Sequence, residues 1–265
     1  MNKTYIFSWG GGVNSTAILA MIKLGMLPEL TKDNTHIVFA DTGAEMPYTY
    51  EHTTNCLSPM ARDGWKVKVL RPYNDQLFYT ERAKDKTLEQ YCIEKFVIPN
   101  RMRRWCSGEW KSQPINKWRK HTFGIDVWKE VSVMILGIAA EEKHRAKELG
   151  VEWTRYPLIE QNVDRKGCFD LCKQAELPIP RKSGCYFCPY QGKQQWIELY
   201  KNLPEHFKKA EYIENNARTR YDGEGYFLIR NIPIRQQLNK WLARIKENCK
   251  QGDLFELDRH CLCEL

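Results

Sequence analysis

The chain has no apolar stretch near the roughly 20 residues that a bilayer-spanning helix needs, and no basic-then-apolar leader at its start. A membrane protein and a secreted one are therefore not expected, and a soluble cytoplasmic protein is. Internal repeats, low-complexity tracts and a clear linker are also missing. The glycines near the N-terminus are not followed by the Lys of a Walker A loop, and they do not form Gly-x-Gly-x-x-Gly. Those absences remove the two commonest glycine-rich nucleotide fingerprints.

What is present begins with sulfur and positive charge. Ten cysteines are many for an intracellular protein of 265 residues. In the cytosol they point to metal ligands or catalytic thiols rather than disulfides. The net charge of +8 is spread along the chain. Basic clusters stand at Arg101–Arg104 and from Arg218 to Lys246, interleaved with Trp105, Tyr221, Tyr226, Phe227 and Trp241. This suits an acidic partner such as a nucleotide or nucleic acid, DNA or tRNA; a solvated basic face is the plain alternative.

The length allows one large or two small domains. Apolar β-rich runs at Thr4–Trp9, His36–Ala40, Lys66–Leu70, Val131–Ala139 and Trp153–Leu158 predict five strands. Helices are predicted over Asn14–Leu24 and Pro47–Arg62, and later over Trp196–Leu203, Glu205–Arg218 and Pro233–Asn248. Strands alternating with helices predict an α/β doubly wound parallel sheet. The expected division is a nucleotide-binding α/β domain over residues 1–160, with an insertion at about 73–129, and a helical cysteine-rich region over 161–265.

Residues Ser8-Trp-Gly-Gly-Gly-Val-Asn-Ser-Thr16 join the first strand to the first helix. Glycines let backbone N–H groups approach an anion, and the helix N-terminus adds its dipole. Ser8, Gly10, Gly11, Gly12, Asn14, Ser15 and Thr16 are the candidate phosphate-binding residues, with hydroxyls from Ser8, Ser15 and Thr16. Asp41-Thr42-Gly43 follows the second strand, so its carboxylate can meet ribose, adenine or a metal at the same sheet edge, or simply cap a turn.

The loop resembles the Ser-Gly-Gly-x-Asp-Ser pyrophosphate loop of the ATP pyrophosphatases and their sulfonucleotide reductase relatives. Gly10 stands where that family has its leading Ser, and Asn14 where it has Asp. The resemblance implies an adenine nucleotide such as ATP, with Mg²⁺, and adenosine contact at Asp41, Thr42 and Gly43. Arg104-Trp105-Cys106, then Lys111 and Pro114, resembles the Cys…Lys…Pro segment of the same superfamily. Gly137-Ile-Ala-Ala-Glu-Glu142, followed by His144 and Arg145, resembles its Gly…Glu…Arg stretch after the fourth strand. Lys111, Arg104 and Arg145 are candidates for neutralising phosphate or sulfate.

Cys185-Tyr-Phe-Cys188-Pro189 carries two thiols at a spacing that grips one metal or one cluster. Spacing alone leaves iron–sulfur, zinc and a redox pair open. The run Tyr156–Ile159, Cys168, then Leu177–Pro189 resembles proteins of the phosphoadenosine-phosphosulfate reductase-like family, and the likeness extends to about Leu203. Relatives with four cysteines include the sulfurtransferase of DNA phosphorothioation. That resemblance implies a [4Fe–4S] cluster on Cys106, Cys185 and Cys188, with Cys168 as fourth ligand and Cys172 as second choice; Zn²⁺ is the alternative. Near the chain end, Cys261-Leu-Cys263 loosely resembles the tail thiol of sulfonucleotide reductases. Cys261 and Cys263 are therefore catalytic candidates beside Lys111 and Arg145.

The expectation is an adenine-nucleotide-dependent sulfur transfer or modification enzyme that adenylates an acceptor and is served by a sulfur donor or thiol-reductant protein. A reductase using the tail cysteines and a non-catalytic nucleic-acid-binding module with structural zinc are the alternatives.

Overall fold

The computed structural model describes residues 3–146, 152–220, 226–229 and 231–250. They form two compact units. The first comprises the described residues up to Leu88 together with those of Trp105–Cys185; the second comprises Glu89–Arg104 and the described residues from Tyr186 onward.

The first unit is an α/β domain on a five-stranded sheet. Its strands are β1 (Thr4–Trp9), β2 (Thr35–Ala40), β3 (Lys66–Leu70), β4 (Ser132–Ile135) and β5 (Thr154–Arg155). All pairs are parallel and the order is β3-β2-β1-β4-β5. Phe7 of β1 stands opposite Ile37 of β2 and Ile135 of β4. Alternation then sends Phe7, Trp9, Ile37, Phe39, Val133 and Ile135 to one core, and Ile6, Val38, Ala40 and Met134 to the other face. Both faces are apolar because both are covered, as parallel sheets require.

On the first face lie α1 (Val13–Lys23), α2 (Pro47–Arg62) and α5 (Arg165–Gln174). Between them in sequence come α3 (Leu88–Lys95) and α4 (Gln113–Phe123), and Ile115 and Trp118 of α4 cover the opposite face. α1 is buried almost all round, from Ser15 to Ile22, because α5 packs on its outer side. Asp164 caps α5 by accepting the Gly167 N–H at 2.7 Å, and Lys23 of α1 donates to the Ala175 carbonyl at 2.9 Å.

Two strands are shorter than predicted. Residues Trp128–Val131 coil into a helical turn before β4, and Pro157 opens another just after β5. Proline fits the first helical position, where its missing N–H has no partner to lose. α5 escaped the sequence pattern, and it carries the first unit past residue 160. Cys168, Leu171 and Cys172 belong to the same core as α1. Of the stretch 73–129, residues 89–104 go with the second unit while α4 is a layer of the first.

The second unit is helical, with α6 (Lys193–Asn202), α7 (Pro204–Thr219) and α8 (Ile234–Lys250) joining α3. Trp196, Phe207 and Leu238 are fully buried in it. Glu214 of α7 is also fully buried and accepts the backbone N–H groups of Leu228 at 2.8 Å and Ile234 at 2.7 Å. One carboxylate therefore satisfies the start of α8 and the segment leading to it. None of the helices among the described residues is long and apolar enough to cross a membrane.

Candidate functional site

The sheet order reverses between β1 and β4, and ligands of open α/β sheets bind at the carboxyl ends of strands beside such a reversal. The glycine loop emerges there. Gly11 takes a left-handed φ of +67°, and a Cβ on it would lie 3.0 Å from Thr49 Cγ2. Gly12 is pressed against Ser183, whose Oγ would meet a Cβ at 2.8 Å. Gly137, just past β4, faces the loop backbone, with Ser15 N 3.1 Å and Asn14 C 3.2 Å from where its Cβ would be. Each glycine is required by a close approach rather than by a turn alone.

The loop hydroxyls are used internally. Ser15 Oγ donates to the Gly12 carbonyl at 2.8 Å, and Thr16 Oγ1 donates to the same oxygen at 3.0 Å. Thr16 Oγ1 also lies 2.9 Å from His52 Nε2. Burial lowers the pKa of His52 below its ordinary value, so the ring is neutral at pH 7. Its ring stacks on Trp9, with centroids 5.7 Å apart. His52 was not singled out from sequence; its position on α2, far from the loop in the chain, gave no signal. Thr16 and His52 therefore brace the loop, and the Gly12 N–H donates to Ser15 Oγ at 3.2 Å.

A cavity of about 380 Å³ opens over this loop. Ser8, Gly10, Gly12, Asn14, Ser15 and Gly137 line it, and so do three cations, Arg145, Arg165 and Lys182. Arg165 and Lys182 join the predicted Arg145, and Ser183 joins the predicted hydroxyls. The Asn14 amide donates to Glu142 Oε2 at 3.1 Å, Glu142 is ion-paired with Arg145, and Asn14 Oδ1 is buried with no hydrogen-bond partner. An orphaned oxygen beside a carboxylate is a donor set for a hard divalent cation.

The turn after β2 is closed. Asp41 is 4% exposed, and its carboxylate accepts from Gly43 N at 2.8 Å, Tyr50 OH at 2.8 Å and Tyr73 OH at 3.0 Å. Arg71 Nε adds an ion pair at 3.4 Å. Burial, and then the Asp41 charge, push both phenols well above the ordinary tyrosine range, so they stay donors. Gly43 is covered by Thr87 and Tyr73. Neither this cavity nor the second one described below is lined by Asp41, Thr42 or Gly43.

Beyond the turn stands a small thiol site. Glu45 is 3% exposed and pairs with Lys111 Nζ through Oε1 at 2.7 Å. The same oxygen is 3.9 Å from Cys185 Sγ and accepts from Thr42 Oγ1 at 3.1 Å. Thr42 Oγ1 is also 3.4 Å from the sulfur. A β-bridge between Glu45 and Cys185 fixes the arrangement, and Glu45 Oε2 is buried without a hydrogen-bond partner.

The other candidate thiols fall in both units. Cys106 is half-buried in the first unit and Cys188 half-buried in the second. Cys168 lies fully buried in the apolar core with Cys172 and Cys56. Burial pushes the Cys168 thiol up to about 12 and the Cys172 thiol up to about 11. Among the described residues, no three His, Cys, Asp or Glu side chains converge into a group that holds a metal. Cys261 and Cys263 lie outside the described residues.

No family model matches the chain, and no curated protein matches it. Among solved structures it is similar to the U34-tRNA thiolase NcsA from Methanococcus maripaludis with its [4Fe–4S] cluster. The identity is 14% and the TM-score 0.44, over 85% of this chain and 74% of that one. A likeness of that degree leaves function to this chain's own residues.

Proposed function

We propose that the protein is an adenine-nucleotide-dependent enzyme of the sulfur-transfer class, acting on a nucleic-acid acceptor. The cavity over the glycine loop, with three cations and two glycines pressed against their neighbours, carries the nucleotide half of this reading. The triphosphate would lie on the loop N–H groups, with Arg145, Arg165 and Lys182 offsetting its charge. Asn14 Oδ1 and Glu142 would hold Mg²⁺, which supplies further charge neutralisation at the phosphates.

The chemistry follows from such placement. An acceptor oxygen attacks the α-phosphorus, the bond to the β-phosphate oxygen breaks, and pyrophosphate leaves with the electron pair. A sulfur nucleophile from a donor then forms a bond to the acceptor atom, and AMP departs with the oxygen. The loop's task is positioning and charge stabilisation. Cys185 is the thiol best placed for the sulfur half. Its neighbours Glu45 and Lys111 form a proton-accepting and proton-donating pair at one carboxylate oxygen. The described thiols do not assemble a metal group, so no step is routed through a cluster. Cys106, Cys185 and Cys188 remain the candidate ligands, and a core position suits Cys168 poorly for that role.

The test is pyrophosphate release from ATP with single-stranded RNA or DNA acceptors, run beside Arg165→Glu and Lys182→Glu. Nucleotide binding lost in both variants supports the reading. Unaltered ATP binding in both, or no ATP binding by the wild-type chain, refutes it. Iron, zinc and acid-labile sulfide content after anaerobic purification decides separately whether the cysteines carry a cluster.

A further inference from the structure

A second cavity, of about 580 Å³, lies on the face of the sheet that α4 covers. It shares Ser8 with the loop cavity and reaches Met134 and Leu136 at the end of β4 and Thr154 of β5. The two cavities therefore meet at the reversal of strand order. The glycine loop and its cations do not explain this one, and the Glu45 site reaches it only through Lys111.

Its lining has an unusual balance. Arg119, Lys129 and Lys111 contribute three cations, of which Lys111 is already paired with Glu45, and there is no Asp or Glu among its described lining residues. Arg119 is 3% exposed. Its guanidinium donates to Ser132 Oγ at 3.1 Å, to the Ser132 carbonyl at 2.7 Å and to Asn116 Oδ1 at 3.4 Å. Those acceptors are neutral. No carboxylate pairs with Arg119 among the described residues, and two of its five N–H donors have no described acceptor. Burial lowers its pKa to about 10, which leaves it charged at pH 7. The cation sits 4.6 Å from the ring centre of Trp128, and Lys120 and Lys129 each stand 5.5 Å from the same ring.

A buried cation without a counter-charge is costly. Here it lines a cavity with a second cation at the rim and an aromatic and aliphatic wall made by Trp153, Met134 and Leu136. Trp153 is 38% exposed, so a planar ring can reach it. A nucleobase supplies a flat apolar face for that wall. A nucleoside without phosphate would leave Arg119 and Lys129 unanswered. The complementary ligand is therefore aromatic and anionic at once.

We propose that this cavity is a second nucleotide site, taking a nucleoside 5′-phosphate unit with its base against Trp153 and its phosphate against Arg119 and Lys129. It is separate from the nucleotide held on the glycine loop. The unit comes either from a free mononucleotide or from a single-stranded nucleic acid that presents one nucleotide to the cavity.

The experiment measures binding of the four nucleoside 5′-monophosphates, the matching nucleosides, and ten-nucleotide single-stranded RNA and DNA. Each is measured with and without a saturating non-hydrolysable ATP analogue. Trp153→Ala and Lys129→Glu are compared with the wild-type protein, and the melting temperature of each is measured so that a loss of fold is told apart from a loss of contact. At least one monophosphate or oligomer should bind in the presence of the analogue, and its nucleoside should bind at least about tenfold more weakly. Each variant should lower the affinity about tenfold, the order expected for one lost stacking or phosphate contact. Tighter binding of an oligomer than of any monophosphate identifies nucleic acid as the source; the reverse identifies a free nucleotide. Strict competition with the ATP analogue, equal affinity for nucleoside and monophosphate, or wild-type affinity in both variants overturns the proposal. A chain that failed to bind ATP at all would still give a readable result, because Trp153 and Lys129 line this cavity and not the loop cavity.

Discussion

Replacing Gly11 by Ala tests how tightly the glycine loop is seated on α2. Gly11 has φ +67°, and Gly25, at the end of the turn after α1, has φ +70°. An L-residue in that region costs about 1–2 kcal/mol. Both substitutions also stiffen the unfolded chain to the same extent, so that contribution cancels between them. The surroundings differ. A Cβ on Gly25 meets nothing within 4 Å, whereas one on Gly11 meets buried Thr49 Cγ2 at 3.0 Å and Thr53 Oγ1 at 3.3 Å. Crowding of that kind adds about 1–3 kcal/mol. Gly25→Ala should therefore lose about 1 kcal/mol and Gly11→Ala about 2–3 kcal/mol. Thermal melting reads the difference, at roughly 2–4 °C per kcal/mol for a domain of this size. Nucleotide affinity should fall in Gly11→Ala and stay unchanged in Gly25→Ala. Equal melting temperatures for the two variants would show that the loop is not pressed on α2, and the reasoning about the phosphate cradle would go with it.

Three further outcomes are expected. Lys111→Met leaves Glu45 buried without its cation, a loss of up to about 3 kcal/mol after allowing for the partial exposure of Lys111, and adding Glu45→Gln should restore most of it in urea denaturation. Burial lowers the pKa of His36, His52 and His206 below the ordinary 6.5, so the unfolded chain takes up protons first as pH falls. Stability should be fully present above pH 6.5 and decline below it, with proton uptake on unfolding at pH 6 measured by calorimetry in buffers of different ionisation enthalpy. Glu214→Gln removes one of two acceptors and strands a buried N–H at Leu228 or Ile234, at a cost of about 1–3 kcal/mol. Hydrogen exchange at those two amides should accelerate; unchanged protection would mean that Glu214 does not anchor α8.

Much of the first unit was legible in its local patterns. β1, α2 and β3 begin and end where the apolar runs and Pro47 place them. The shortened β4 and β5 were not, because Val131 and Leu158 are apolar residues of helical turns and read like strand residues when hydrophobicity alone is used. The glycine loop between β1 and α1 was legible because its glycines are contiguous. Its cations were legible only in part. Arg145 follows Gly137 closely, but Arg165, Lys182 and Ser183 reach the loop from segments that no local rule connects to it. Asp41 reads from sequence as a ligand-facing carboxylate. Tyr50 and Tyr73, which occupy it, lie on α2 and in the loop after β3. Cys168 entered as fourth ligand through the family resemblance, and the amphipathic period of α5 turns it into the core.

Lys182 to Cys185 ties two of these sites together. Lys182 and Ser183 line the loop cavity, and Ser183 touches Gly12. Two residues on, Cys185 is bridged to Glu45 and lies near the oxygen that pairs with Lys111. The Met46 N–H donates to the Gly184 carbonyl at 2.9 Å, so the strap between them is held by backbone as well. Gly184 has φ +149°, a conformation that L side chains rarely adopt, and it is the point where the strap turns from one site to the other. Phosphate binding at Lys182 and Ser183 should therefore be felt two residues on, at the segment that carries the thiol. Gly184→Ala should strain the strap and separate the two responses. Nucleotide is expected to slow alkylation of Cys185 in the wild-type protein; in the variant, nucleotide binding should persist through Arg145 and Arg165 while that protection is lost. Retained protection in that variant would mean that the two sites share a segment of chain without sharing a motion.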